Sequence, residues 1–176
     1  LNSNIMTDLN DFLSYNDPWN NDPFYLFEND SERIAFKEWF LKEAKKYNYH
    51  THYKYSQELL ESIIPAGCYG NGQYLAIKNK NKYVEGLVSP NGTYVNDEYI
   101  PHGFNLAQKR VVDFTYKKIV NETPKYLSKL PTEYWGIEIP YDYILQESKK
   151  NEKISPYFLH KPLLLQYWRD QIKSNE

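Results

Sequence analysis

Three residues of the types used in acyl transfer follow one another in the middle of the chain: Cys68, His102 and Asp113. A thiolate is a strong nucleophile, an imidazole can carry its proton, and a carboxylate can orient the imidazole and stabilise its charged form. Taken singly, each could be structural, as an inert thiol, a hydrogen-bonded histidine or a turn residue. Their order and local setting together predict a catalytic triad.

The segment around Cys68 predicts a helix that begins at the thiol. Pro65 to Gly67 interrupts the preceding structure, and residues 68–79 have helical character. The unpaired amides and the dipole of a helix N-terminus favour a thiolate, and the same amides can hold the oxyanion of a tetrahedral intermediate. Gly70 and Gly72 weaken such a helix by about 1 kcal/mol each, which suggests that a ligand or a ring approaches this backbone closely.

A predicted β-hairpin brings His102 and Asp113 together. Strands are expected at about 82–88, 99–106 and 110–116, and the connector at 107–109 is short enough for the last two to pair antiparallel. Residues whose numbers sum to about 215 or 216 then face each other, so His102 lies opposite Asp113 or within one position of it. Directly opposed residues point to the same face of the sheet, with their Cβ atoms about 5 Å apart. A shift of the pairing by one residue would put His102 and Asp113 on opposite faces.

The remaining sequence supplies the elements that position this hairpin. Helices are expected at about 32–47, 57–64, 141–149 and 161–173, the first capped by Asp30 or Ser31 and the second by Ser56. Residues 1–30 are dense in Asn and Asp with interspersed rings, and they predict an irregular N-terminal arm. The order of helices, strands and helices favours an α+β fold, with a single domain over residues 1–176.

Composition and charge narrow the class of protein. A chain of 176 residues that is 41% hydrophobic and 17% aromatic fits one domain with a core rich in rings. Its net charge of −2, with both signs interspersed, provides no basic face for a nucleic acid. No apolar run approaches the roughly 20 residues that span a bilayer, so no membrane partner is expected. The lone cysteine suits a reducing cytoplasm, and we expect a cytoplasmic protein.

Neither a metal nor another cofactor is expected. His50 and His52 would share a face of an extended chain, but no nearby cysteine or cluster of carboxylates completes a metal site. Acyl transfer through a thiol requires no cofactor.

The motifs around these residues resemble those of the papain-like superfamily, especially its transglutaminase-like branch. In that branch a helix-borne Cys is followed by strands that carry a His-Ala-Trp-like and an Asp-Pro-Thr-Trp-like motif. The counterparts here are Cys68, His102-Gly103-Phe104 and Asp113-Phe114-Thr115-Tyr116. The chain is also similar to a group of small, mostly uncharacterised bacterial and phage-type members, through Cys68-Tyr69-Gly70-Asn71-Gly72, Tyr83-Val84-Glu85-Gly86 and Tyr134-Trp135-Gly136.

This resemblance spans about residues 65–139 and implies a fold as well as a site. The implied fold packs N-terminal helices, including the Cys-bearing helix, on a small antiparallel sheet, followed by C-terminal helices. The implied site is a triad in which Cys68 is the nucleophile, His102 the base and Asp113 the residue that orients the base.

The chain departs from the family at positions that bear on substrate binding. Gly103, Phe104 and Phe114 replace the more usual Ala, Trp and Pro, and Ser62 stands where a papain-type enzyme carries its oxyanion glutamine. Asn71 could reach the site or brace the strands, and Glu85 could hold a structural hydrogen bond or bind a cationic substrate group. The candidates for the oxyanion site or for substrate binding are Gln57, Asn71, Glu85 and Asn105.

The expected function is a cysteine-dependent acyl transfer, most simply the hydrolysis of an amide or related acyl bond, as in a protease, amidase or deamidase. The substrate is expected to be a peptide, a protein or a small amide, and transamidation would use the same acyl-enzyme. The alternative is a non-catalytic protein on the same fold that binds a peptide or metabolite, such as a phage or bacterial interaction protein. The sequence leaves the oligomeric state open.

Overall fold

The computed structural model describes residues 3–20, 22–90, 99–150 and 161–175. These residues form an α+β structure of seven α-helices and a five-stranded antiparallel sheet. The helices are α1 (Ser3–Tyr15), α2 (Asp30–Glu43), α3 (Gln57–Ser62), α4 (Cys68–Asn79), α5 (Phe114–Glu122), α6 (Tyr141–Lys150) and α7 (Leu164–Ser174). The strands are β1 (Lys45–Tyr47), β2 (Lys82–Pro90), β3 (Ile100–Ala107), β4 (Arg110–Val112) and β5 (Pro131–Ile139), and a 3-10 helix covers Pro124–Lys129. Among the described helices, none combines the length and the apolar character needed to cross a bilayer.

The N-terminal arm, expected to be irregular over residues 1–30, begins instead with helix α1. Leu9 and Leu13 lie one helical turn apart and are both buried, and Phe12 meets Tyr99 edge to face with ring centroids 5.1 Å apart. The expectation was wrong for this segment because the density of Asn and Asp masked an apolar stripe at helical spacing. Burial of that stripe stabilises a helix whose residue preferences alone are weak.

Helix α2 starts and ends earlier than expected. Asn29 caps it by accepting a hydrogen bond from the amide of Glu32 at 2.8 Å, one residue before the first expected cap. The helix ends at Glu43 rather than near residue 47, because Lys45–Tyr47 leave it to pair with β5 as strand β1. Tertiary pairing here overrides the helical preference of a lysine-rich segment.

The sheet has the strand order β1-β5-β2-β3-β4, so β2 is the central strand. Because side chains alternate across a strand, the two faces carry different residues. One face packs on α1, α2, α4, α6 and α7 around a large cluster that includes Trp19, Phe36, Phe40 and Trp168. The other face holds a smaller cluster of its own, formed by Val84, Val88, Phe104, Leu106, Val111 and Tyr134.

The sheet curls so that its two edges meet. After β1 the chain runs alongside β4, where the His50 amide donates to the Val111 carbonyl at 2.9 Å. The Val111 amide donates in turn to the Asn48 carbonyl at 2.8 Å. This seam encloses the smaller cluster between the strands.

Strands β3 and β4 form the expected hairpin, but the expected register was wrong. The turn consists of Gln108 and Lys109, whose φ angles of 53° and 64° are those of a two-residue type I′ turn. Asn105 pairs with Val112, so the numbers of facing residues sum to 217 rather than 215 or 216. If this pairing continued, Asp113 would face residue 104. The observed register is therefore shifted by two positions from the one with a sum of 215. Because side chains alternate with a period of two, His102 and Asp113 still lie on the same face of the sheet.

Candidate active site

Cys68 is the first residue of α4, as the sequence predicted, and it is partly exposed. The chain enters the helix through a turn closed by a hydrogen bond of 3.1 Å from the Gly67 amide to the Ile64 carbonyl. Ala66 in this turn has a φ of 61°, a left-handed conformation that costs a non-glycine residue roughly 1–2 kcal/mol. The helix cap, Gly67, offers no side-chain acceptor, so no cap side chain occupies the amides of the first turn.

Asp113 follows the last residue of β4 and caps helix α5. Its Oδ1 atom accepts a hydrogen bond from the Tyr116 amide at 3.1 Å. The third strand expected over residues 110–116 therefore stops at Val112, and that part of the prediction was wrong. Phe114 and Thr115 have strong strand propensity, but aspartate is among the best helix N-caps, and the cap prevails here.

His102 and Asp113 form a buried hydrogen-bonded pair. The Nε2 atom of His102 donates to Oδ2 of Asp113 at 2.7 Å, and the two residues are only 5% and 1% exposed. The Tyr134 hydroxyl donates to the same Oδ2 atom at 2.9 Å. The Asp113 amide donates to the Tyr55 hydroxyl at 3.2 Å, so both the side chain and the backbone of Asp113 are held in place. A carboxylate held in this way orients the imidazole that donates to it.

The His102 ring connects Asp113 to Cys68. Burial lowers the pKa of His102, but the Asp113 carboxylate and the nearby Cys68 sulfur outweigh this effect and raise the pKa to about 10. Since Nε2 is used by Asp113, Nδ1 is the ring nitrogen left for the sulfur. Tyr116 packs on the ring with centroids 5.0 Å apart. The three residues predicted as a triad are thus brought together around the His102 ring.

Glu85 is used by the fold. It lies on β2 next to Gly86, which pairs with His102, so alternation turns Glu85 toward the opposite sheet face. There it accepts hydrogen bonds from the Leu163 and Leu164 amides at 2.6 and 2.7 Å, which start helix α7. Burial raises the pKa of Glu85 to about 7, although these amides and the Tyr83 hydroxyl, at 2.5 Å, act to lower it. Of the two roles expected for Glu85, the structure shows the structural hydrogen bonds.

Asn71 braces the turn that precedes Cys68. Its Oδ1 accepts from the Ile64 amide at 2.9 Å, and its Nδ2 donates to the Ile64 carbonyl at 2.7 Å and to the Thr115 hydroxyl at 3.0 Å. Both donor hydrogens and the acceptor are therefore engaged within the protein. Asn71 thus braces the turn and helix α5 rather than the strands, as one alternative had it, and it leaves no donor for an oxyanion.

Asn105 and Gln57 lie away from the triad in different ways. Asn105 shares the face of Glu85, and its Nδ2 donates to the Gly72 carbonyl at 2.9 Å, which ties α4 to β3. A side chain at Gly72 would lie 2.6 Å from the Tyr83 ring, so the helix glycine serves close helix–sheet packing. Gln57 is exposed at the start of α3, and none of the described hydrogen bonds links it to the triad.

Two tyrosines that the sequence reasoning did not single out support the Asp113 carboxylate. Tyr134 reaches it from β5, which the sequence analysis did not predict as a strand, and Tyr55 reaches its amide from the connector before α3. Tyr134 belongs to the Tyr-Trp-Gly motif, which carried the only signal of its importance. Tyr55 had no signal, because a tyrosine in a polar connector has no periodic pattern to mark it.

Two cavities flank the helix that carries Cys68. One of about 420 Å³ adjoins Pro101, the residue before His102, and Asp22, which accepts a hydrogen bond of 3.2 Å from the hydroxyl of Tyr69. The larger, of about 710 Å³, is lined by Ala76 and Lys80 at the C-terminal end of α4 and by residues of β2, β5 and α6, away from the thiol. The smaller cavity is therefore the one connected to the N-terminal end of α4, through the contact between Asp22 and Tyr69.

The described residues contain no group of three histidine, cysteine or acidic side chains arranged to hold a metal ion. His50 instead forms a hydrogen bond of 3.1 Å with Gln108. Compared with known proteins, the chain matches no family model, no curated protein and no solved structure.

Proposed function

We propose that this protein is a cysteine-dependent acyl-transfer enzyme with a papain-like or transglutaminase-like site, which hydrolyses an amide or related acyl bond. The observation that carries the proposal is the 2.7 Å hydrogen bond from Nε2 of the buried His102 to Asp113, on a ring that lies near enough to Cys68 for the sulfur to raise its pKa. The substrate class is a peptide, a protein or a small amide.

Acylation would begin from a thiolate–imidazolium pair. The Cys68 thiolate attacks the carbonyl carbon and forms a C–S bond, while the C=O electron pair moves onto the oxygen. The amides of the first turn of α4 lie beside the sulfur and would stabilise this oxyanion. When the intermediate collapses, the C–N bond breaks and Nδ1 of His102 gives its proton to the leaving amine.

Deacylation would reverse these roles. The neutral His102 takes a proton from water, and the water oxygen attacks the thioester carbonyl. The C–S bond breaks, the acid leaves and the thiolate–imidazolium pair is restored. An amine in place of water gives transamidation through the same steps. Asp113 keeps Nε2 hydrogen-bonded throughout, so that Nδ1 always faces the sulfur.

The proposal is tested with p-nitrophenyl acetate, a small activated acyl donor that needs no specific binding. Wild-type protein is expected to release p-nitrophenol with an initial burst and to carry one acetyl group on Cys68, detected by mass spectrometry. Cys68→Ala should lose the burst, and His102→Asn should slow acetylation at pH 7 by about 100-fold or more, the range of general-base contributions. His52→Asn is the matched control, because His52 is exposed.

Acetylation of Cys68 no faster than that of free cysteine, or equally fast in His102→Asn, would overturn the enzymatic proposal. The same result would favour the alternative, a binding protein on this fold whose thiol takes no part in chemistry.

A further inference from the structure

We propose that the cavity of about 420 Å³ beside Pro101 is a substrate subsite that takes an aliphatic side chain ending in a cation, such as that of lysine. This inference rests on the proposed function, because it names the substrate class of the same site. In this proposal, the Asp22 carboxylate selects the cationic side chain.

The cavity is linked to the thiol through Tyr69. Asp22 lines the cavity and accepts a hydrogen bond of 3.2 Å from the hydroxyl of Tyr69, the residue after Cys68. Pro101 also lines the cavity, although it points to the sheet face opposite to that of His102. The Asp22 carboxylate therefore lies one tyrosine side chain away from the backbone next to Cys68, and a long substrate side chain would span that distance.

Apolar groups form somewhat more than half of the cavity wall. Phe12 of α1 and Tyr99 contribute rings that meet edge to face at 5.1 Å, and Pro23 and Pro101 contribute rigid apolar surface. Such walls favour the methylene stem of a long side chain. The volume falls within the range of pockets that hold small ligands, about 300–1,000 Å³.

The charge in the cavity points to a cation. Only Asp17 and Asp22 among its lining residues are charged, and Asp17 already forms an ion pair with Arg33, whose Nε lies 3.3 Å from its Oδ2 and which also pairs with Asp30. Asp22 accepts hydrogen bonds from the Phe24 amide at 2.9 Å and from Tyr69, both neutral donors. In the described part of the chain no cationic side chain forms an ion pair with Asp22. A carboxylate left in this state beside apolar walls favours an ammonium or guanidinium group.

The test compares two reagents that differ by one charge. N-acetyl-lysine chloromethyl ketone and its norleucine counterpart have the same stem length, and both alkylate a nucleophilic thiol. A second pair places the lysine or norleucine one residue further from the ketone, and the pair with the greater discrimination is used. The second-order rate of Cys68 alkylation, followed by mass spectrometry, is expected to be about tenfold higher for lysine in the wild-type protein, the effect of one charged hydrogen bond.

Three variants separate the charge of Asp22 from its other contacts. Asp22→Asn should bring the lysine-to-norleucine ratio close to one. Tyr69→Phe removes the hydrogen bond but keeps the carboxylate, and it should retain the preference. Asp11→Asn is the matched control, because Asp11 is an exposed aspartate on α1 next to Phe12, and it should also retain the ratio. Added salt at 0.5 M should lower the wild-type ratio, which tests the charge without a variant.

Equal rates for the two reagents in the wild-type protein, or an unchanged ratio in Asp22→Asn, would overturn the subsite. A failure of the proposed function looks different: neither reagent would alkylate Cys68 faster than it alkylates free cysteine, and the subsite would fall with it.

Discussion

Replacing Asp113 by asparagine should flatten the pH dependence of stability above neutral pH. The folded state holds a proton on His102 up to a pKa of about 10, against an ordinary value of 6.5, and Asp113 is the largest cause that raises it. A raised folded pKa contributes stability that is complete below pH 6.5 and is lost as the pH rises toward 10. Asparagine keeps the capping oxygen of α5, so the variant is expected to fold.

The magnitude follows from the size of the shift. Between the two pKa values the folded state binds one proton more than the unfolded state, so stability falls by about 1.4 kcal/mol per pH unit. From pH 7 to pH 9.5 the loss is on the order of 3 kcal/mol, as an upper limit. The two proteins compared, with and without Asp113→Asn, both carry Cys68→Ala, so that neither contains a thiol. This substitution reduces the shift in part, since Cys68 also raises the pKa of His102.

The assay is urea unfolding, monitored by tryptophan fluorescence, at pH 7, 8 and 9.5. These values stay below the range in which the tyrosines of the unfolded chain are mainly ionised. We expect a clear loss of stability with pH in Cys68→Ala and a much smaller loss in the double variant that also carries Asp113→Asn. Equal slopes in the two proteins would refute the His102–Asp113 ion pair.

Three further outcomes are expected from urea unfolding. Lys80→Gly should stabilise the protein by about 1 kcal/mol, because Lys80 ends α4 with a left-handed φ of 56° that glycine adopts freely, and no gain would contradict this strain. In the wild type, the raised pKa of Glu85 should make stability fall as the pH rises from 4.5 to about 7, and Glu85→Gln should remove this loss. An unchanged dependence of stability on pH would exclude the Glu85 carboxyl as its source. Gly86→Ala should cost about 3 kcal/mol or more, because its Cβ would lie 1.9 Å from the Trp135 carbonyl oxygen, whereas Gly67→Ala, with 3.2 Å to its nearest neighbour, should cost far less.

The elements around the thiol could be read from the sequence because they depend on local signals. A break at Pro65–Gly67 sets the start of α4, and Ser56 caps α3 as expected, accepting from the Leu59 amide at 3.3 Å. The register of the β3–β4 hairpin depended on which residues form its turn. Gln108 and Lys109 take positive φ without being glycine or asparagine, so the usual signature of a two-residue turn is absent.

In the candidate site, too, some contacts follow from local sequence patterns and others depend on tertiary packing. The contact between His102 and Asp113 followed from a period of two, which survived the error in register. The same alternation could have excluded Glu85 and Asn105 from the sheet face that carries the triad. Glu85 is one position from Gly86, which pairs with His102, and Asn105 is three positions from His102. The support from Tyr134 and Tyr55 could not be foreseen, because it depends on β5 lying beside β2 and on the path of a connector. Such pairings are set by tertiary packing between distant parts of the chain.

The seam at Val111 ties the segment that leads to Asp113 to the opposite edge of the sheet. Val111 lies two residues before Asp113, and its amide and carbonyl are both engaged by residues 48 and 50. Local opening at these two bonds would free that segment from the other edge strand. Slow deuterium exchange at the Val111 amide would then report how rarely this edge of the sheet opens.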